Sequence, residues 1–214
     1  MSYKLDLLCQ ATTDPDGIGM VLLMLETARV PERHRNIFLG MPEGSVCIDC
    51  GANIGAISDI ILKLGGICHA FEPSKAAIGL LARKYKDARG MHLIPAVVSN
   101  RNGECEFYTS AQNPFSQGSG TLGRKGYPGK YKVKCVRLVE YMRNLGDIYL
   151  LKIDVEGAEF DILDDIIKSG AYKNVRHIVC ETHTRLYPEL KPRLKQIRQD
   201  IRKRNIGNIH LDWI

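Results

Sequence analysis

A chain of 214 residues, 44% hydrophobic and 25% charged, can bury one sizeable core and is too short for two comfortable domains. With 20 glycines and 9 prolines it fits neither a disordered nor a fibrous class. The apolar stretch Val21 to Leu25 is far too short for a signal core or a membrane span, so a cytoplasmic location without membrane association is expected.

The first 45 residues carry weak signals apart from a helix expected around Gly19 to Ala28. From Val46 onward short apolar runs alternate with amphipathic segments, the pattern of a mostly parallel sheet with helices on both faces. Val46 to Cys50 reads as a buried strand, followed by a helix with Ile57, Ile60, Ile61 and Leu64 inward and a stop at Gly65-Gly66. A second strand covers Ile67 to Glu72, and Ser74 caps a helix carrying Ile78, Leu81 and Tyr85. A third strand is expected over about His92 to Val98. Alternation then marks two more, Glu104 to Thr109 and Tyr131 to Val136.

Between those two lies a long loop, Ser110 to Lys130, with five glycines and two prolines, and loops of this length are commonly lids or binding segments. A short helix over Leu138 to Leu145 leads to a fourth core strand at Ile148 to Ile153. A helix with Phe160, Leu163 and Ile167 inward and a fifth strand at Val175 to Glu181 follow. Leu190, Leu194, Ile197 and Ile201 recur at helical spacing, which puts Lys191, Arg193, Lys195, Arg198, Arg202, Lys203 and Arg204 on the opposite, solvated face. Ile209 to Ile214 closes the chain as a strand. The seven cysteines are odd in number and scattered, which suits reduced thiols; Cys47 and Cys50 have CxxC spacing but point to opposite faces of their strand.

Three motifs carry chemistry. Asp49-Cys50-Gly51-Ala52-Asn53-Ile54-Gly55 is a glycine-rich turn between the first strand and its helix, the edge at which open α/β sheets bind ligands. Its GxxxG spacing differs from the GxGxxG that cradles a pyrophosphate. It suits a ligand without one, such as S-adenosyl-L-methionine, whose cationic groups Asp49 could hold directly or through water. Glu72 follows Asp49 by 23 positions at the tip of the second strand, where a carboxylate can accept both ribose hydroxyls. Lys152-Ile153-Asp154-Val155-Glu156-Gly157-Ala158-Glu159 ends the fourth strand, so Asp154 and Glu156 face the same cleft, while Glu159 reads as helix N-terminal chemistry.

With Phe71-Glu72-Pro73 and Glu181-Thr182-His183, these motifs resemble the FkbM-type methyltransferases over about two-thirds of the chain, Val46 to His183. The resemblance implies an α/β, Rossmann-like class I methyltransferase fold over residues 46–214, with residues 1–45 a helical or irregular segment on the substrate side. It implies S-adenosyl-L-methionine as donor and methyl transfer to a hydroxyl of a sugar, glycan or natural product. Asp49, Gly51, Asn53, Gly55 and Glu72 match the family's cofactor positions; Ala52, Ile54, Pro73 and Asp154 are expected to bind the cofactor with them, and Ala96 and Val97 would flank the adenine. The chain departs from the family in carrying Val139 after Leu138, and its single terminal strand suggests a shortened C-terminal hairpin.

His183 is the candidate general base, an imidazole with an ordinary pKa near 6.5 being poised for neutral pH, with Asp154 or Glu156 as substitutes. A surface histidine is the bland alternative. A metal held by Asp154 and Glu181, as in catechol-type enzymes, is not expected, because Thr182-His183 is a poor partner for a hard oxygen-seeking ion. Two other readings compete: an RNA ribose methyltransferase using the basic helix, which would want a lysine where Glu181 stands, and a non-catalytic binding module. The acceptor pocket is expected from Phe115, Thr121, Tyr127, His34 and Arg35. These patterns do not encode an oligomeric state.

Overall fold

The computed structural model describes residues 17–110, 120–121 and 128–213. Helices α1 (Ile18–Thr27) and α2 (Glu32–Leu39) precede β1 (Val46–Cys50), α3 (Ala56–Lys63), β2 (Ile67–Phe71), α4 (Lys75–Lys84) and β3 (Met91–Ile94). Next come β4 (Val97–Ser99), β5 (Gly103–Thr109), β6 (Gly129–Arg137), α5 (Leu138–Met142), β7 (Ile148–Ile153), α6 (Glu159–Ser169) and β8 (Val175–Cys180). Helix α7 (Lys191–Lys203) and β9 (Ile209–His210) complete the described chain. Among the described residues no helix is long and apolar enough to cross a membrane.

Six strands form one sheet in the order β3-β2-β1-β7-β8-β9, every pairing parallel. Strands buried on both faces are mostly apolar, and β1, β2, β7 and β8 are so apart from Asp49, His69, Lys152 and, near the start of β8, Arg176 and His177. Alternation sorts their side chains between two cores. Ile48, Cys50, Leu151, Ile153 and Ile178 pack with α6 and Ile197 of α7, while Cys47, Cys68, Leu150 and Val179 pack with residues of α1 to α4. Cys47 and Cys50 therefore lie in different cores, and burial pushes the Cys47 thiol up to about 12. The chain order reverses between β1 and β7, and at such a switch point the loops at the carboxyl ends diverge and leave a crevice.

Several elements differ from the sequence reading. The single third strand is two, because Pro95 has no N–H to give a ladder; β3 stays in the main sheet and β4 joins a second one, ordered β4-β6-β5. Helix α2 was not expected. Its sequence is polar on average, yet it buries His34, Arg35, Ile37 and Phe38. In α4 the innermost positions are Ala77 and Leu81, with Ile78 half-buried. The final strand stops at His210, because Trp213 turns into the core against Phe38 and His34; Ile214 lies outside the described residues.

Candidate functional site

The β1–α3 turn is shaped by glycine. Gly51 has φ +80°, and a Cβ there would run into the backbone oxygen of Asp154, so only glycine lets the ends of β1 and β7 lie this close. Gly51 N and Ala52 N both donate to Phe71 O, at 3.0 Å, tying the turn to the end of β2. Asn53, also left-handed at φ 50°, points its N–H at Glu72 Oε2, 2.8 Å away. Ser74 N donates to the other oxygen at 2.7 Å. Glu72 is thus held from both sides at the tip of β2. Burial raises its pKa, against the lowering effect of those two N–H groups.

A cavity of about 550 Å³ opens at the switch point, a volume within the range of small-molecule sites. Gly51, Ala52, Asn53, Ile54, Glu72, Pro73, Ala96, Val97, Asp154 and Glu156 all line it. Glu181 lines it too, as do Phe107 of the second sheet, Lys152, Arg29, Arg185 and Trp213, which the sequence does not mark as cavity residues. Lys152 did leave a signal, as a lone charge inside the apolar run of β7.

Three of the expected site residues are not on the wall. Asp49 is fully buried and does not line the cavity. Ser58 Oγ donates to its Oδ2 at 2.8 Å, and Lys152 Nζ, carried by its register partner on β7, lies 3.2 Å from Oδ1. Lys152 also donates to Gly51 O at 2.8 Å and pairs with Asp154 Oδ2 at 3.3 Å. Burial opposes its charge, but Asp49 and Asp154 outweigh burial and hold the ammonium protonated. Gly55 is a packing position: it starts α3 at φ 86°, with the Tyr85 hydroxyl, which donates to Gly55 O, where a Cβ would sit.

His183 is the third. It is a buried residue behind the wall, not a surface histidine. Glu159, itself fully buried, accepts from Gly157 N at 2.7 Å and His183 N at 2.8 Å, and faces His183 Nδ1 at 3.3 Å. Its role is to anchor this loop, beyond any interaction with the helix dipole. Burial disfavours the imidazolium, but Glu156 and Glu159 override it and push His183 up to about 10, so the ordinary value assumed for a neutral-pH base does not apply here. Burial and the neighbouring Asp154 raise the Glu181 pKa, and His183 lowers it.

Of the residues expected to shape the acceptor pocket, Thr121 lines the cavity, while Phe115 and Tyr127 lie outside the described residues. His34 and Arg35 do not line it. His34 Nε2 meets Asp212 Oδ1 at 3.1 Å, and Arg35 donates to Val30 O and pairs with Glu26, contacts that lock α2 in place. On the N-terminal side the wall is Thr27, Ala28 and Arg29 instead.

An all-parallel α/β sheet with a ligand-sized cavity at its switch point, flanked by a glycine turn and an anchored strand-tip carboxylate, defines a Rossmann-like fold of the methyltransferase type. Residues 49–206 match the methyltransferase FkbM domain, and the chain belongs to that family. Among solved structures it is similar to the FkbM methyltransferase from Methylobacillus flagellatus KT, with 16% identity and a TM-score of 0.40 over 60% of this chain. The chain spans 30% of that protein's length. No curated protein matches it.

Proposed function

We propose that the chain is an S-adenosyl-L-methionine-dependent O-methyltransferase acting on a hydroxyl of a small-molecule, sugar or glycan acceptor. Glu72 carries this reading. Each of its oxygens accepts one backbone N–H and keeps a further lone-pair site, which suits the two neighbouring hydroxyls of a ribose. Ala96, Val97 and Phe107 supply the apolar part of the same cavity, as an adenine requires, and the residues present fit the cofactor. When bound, that cofactor supplies a methyl group on an already activated sulfonium, so the chain's own work is to align donor and acceptor.

The acceptor hydroxyl must also lose a proton. Asp154, Glu156 and Glu181 are the wall carboxylates placed to take it, and His183 behind them acts as a positioning residue. Residues 17–45 serve the substrate side through Thr27, Ala28 and Arg29. Helix α7 turns Ile197 into the core and joins Arg193 to Asp161 and Asp164 of α6, and it leaves Lys191, Lys195, Arg198, Arg202, Lys203 and Arg204 on its solvated face.

Calorimetry with S-adenosyl-L-methionine tests the reading. The expected outcome is one-to-one binding, weakened about tenfold or more by Glu72→Gln, which keeps the shape of the side chain and removes its charge; that factor corresponds to about 1.4 kcal/mol. Absence of binding by the unmodified chain, or equal affinity in the variant, would sink it.

A further inference from the structure

Asp154, Glu156 and His183 each offer a ligand atom within 4.8 Å of the others. His183 Nε2 stands 3.6 Å from Asp154 Oδ1, 3.6 Å from Glu156 Oε1 and 3.6 Å from Glu181 Oε1. That spacing is too long for a hydrogen bond. It is the spacing of ligands that share an ion: donors about 2.0–2.2 Å from a tetrahedral centre stand about 3.3–3.6 Å apart.

Two independent observations point the same way. Glu156 Oε2 is buried and has no hydrogen-bond partner among the described residues, a costly state for a carboxylate oxygen. The imidazole, its side chain only 4% exposed, turns Nδ1 towards Glu159, and Glu159 is fixed in turn by the N–H groups of Gly157 and His183. A carboxylate behind one ring nitrogen sets the tautomer and aims the other nitrogen at a metal, as in carboxylate–histidine–metal triads. Nε2 is aimed at the three wall carboxylates and hydrogen-bonds to none of them. Lys152, a cation of the same site, is already shared between Asp49 and Asp154, so the charge facing Glu156 and Glu181 is the His183 ring, whose proton a bound ion would displace.

We infer that Asp154, Glu156 and His183 form a binding site for one divalent transition-metal ion on the cavity wall, with Glu181 beside His183. One imidazole nitrogen among carboxylate oxygens suits Zn²⁺ or Mn²⁺ better than Mg²⁺ or Ca²⁺, which favour oxygen alone. Asp154 and Glu181 taken as a pair make a poor cluster; the fold instead brings Glu156 and His183 to Asp154. Asp154, Glu156 and Glu181 line the cavity, so the ion would be reachable from it and could polarise an acceptor oxygen. Only that last role rests on the methyl-transfer reading; binding of the ion does not.

The full chain, freed of metal by a chelator and dialysed, is titrated calorimetrically with Zn²⁺. One ion per chain is expected, with Glu156→Gln weakening uptake at least tenfold while far-UV spectra and melting curves stay those of the unmodified chain. Glu156→Gln keeps the shape of the side chain, the melting curves check that the fold is kept, and Co²⁺ absorption reports independently on the nitrogen and oxygen ligands. No stoichiometric uptake, or equal uptake in Glu156→Gln, overturns the site. Binding of S-adenosyl-L-methionine is read separately: cofactor bound without metal affinity removes the ion alone, and metal bound without cofactor removes the methyl-transfer reading alone.

Discussion

Lys152 holds the floor of the cavity together at the level of a single charge. Its ammonium is the cation paired with Asp49, a carboxylate with no access to water, and the same group reaches Asp154 on the wall. Replacing it with methionine leaves a buried carboxylate supported by the Ser58 hydroxyl, and an orphaned buried charge costs about 3–5 kcal/mol. Lys152→Met should lower the unfolding free energy in urea by about that amount. The double variant Asp49→Asn with Lys152→Met should recover a large part of it, since neither charge then remains. Equal losses in the single and double variants would mean that Lys152 acts through packing. The pair also marks the limit of what spacing conveys about the site. Gly51, Glu72, Ala96, Val97, Asp154 and Glu156 converge because strand ends and turns meet at a parallel switch point, which the order of elements already implies. Depth is not implied. Asp49 lies under the floor because it shares the face of Cys47, and His183 lies behind the wall because Glu159, on another element, draws its loop inward.

Among elements, the β1–α3 turn constrains the cavity most tightly. Gly51 and Gly44 both have positive φ, but only at Gly51 does a Cβ meet backbone, namely the Asp154 carbonyl; at Gly44 nothing lies within 4 Å. Gly44→Ala should therefore cost about 1–2 kcal/mol, the penalty of a left-handed residue with a side chain. Gly51→Ala must also part β1 from β7, for a total of about 3 kcal/mol or more, with loss of cofactor binding. Thermal unfolding of the two variants checks the difference, and similar losses would show that the β1–β7 approach is yielding. Elements with a strong period are legible before any coordinates: β1, β7 and the inner faces of α3 and α6 follow from apolar spacing alone. Helix α2 is hidden because His34 and Arg35, polar by type, are buried through contacts with Asp212, Val30 and Glu26 that lie elsewhere in the chain. The division of β3 from β4 is hidden because a proline shows where a ladder breaks but not which sheet the next residues join.

For the molecule as a whole, the histidines of the sheet set a response to acid. His69 on β2 stacks on His92 of β3 with ring centroids 4.4 Å apart, and its Nδ1 lies 2.7 Å from the Tyr141 hydroxyl on α5. Burial, with a smaller effect from His92, lowers its pKa to about 4, and His177 and His210 are lowered as well. Above the unfolded value near 6.5 neither state takes the proton. As the pH falls from there towards 4, the unfolded chain binds a proton that the folded chain refuses, so the contribution of His69 is present above 6.5 and is lost on acidification through that window. For a ring in partial contact with solvent the loss is on the order of 2 kcal/mol. His69→Gln has no such proton to take up, and carboxylate effects are common to both proteins and cancel in the comparison. Urea unfolding at pH 7 and pH 4.5 should show the unmodified chain losing on the order of 2 kcal/mol more than the variant. Parallel losses in the two proteins would place the acid sensitivity of this fold outside His69.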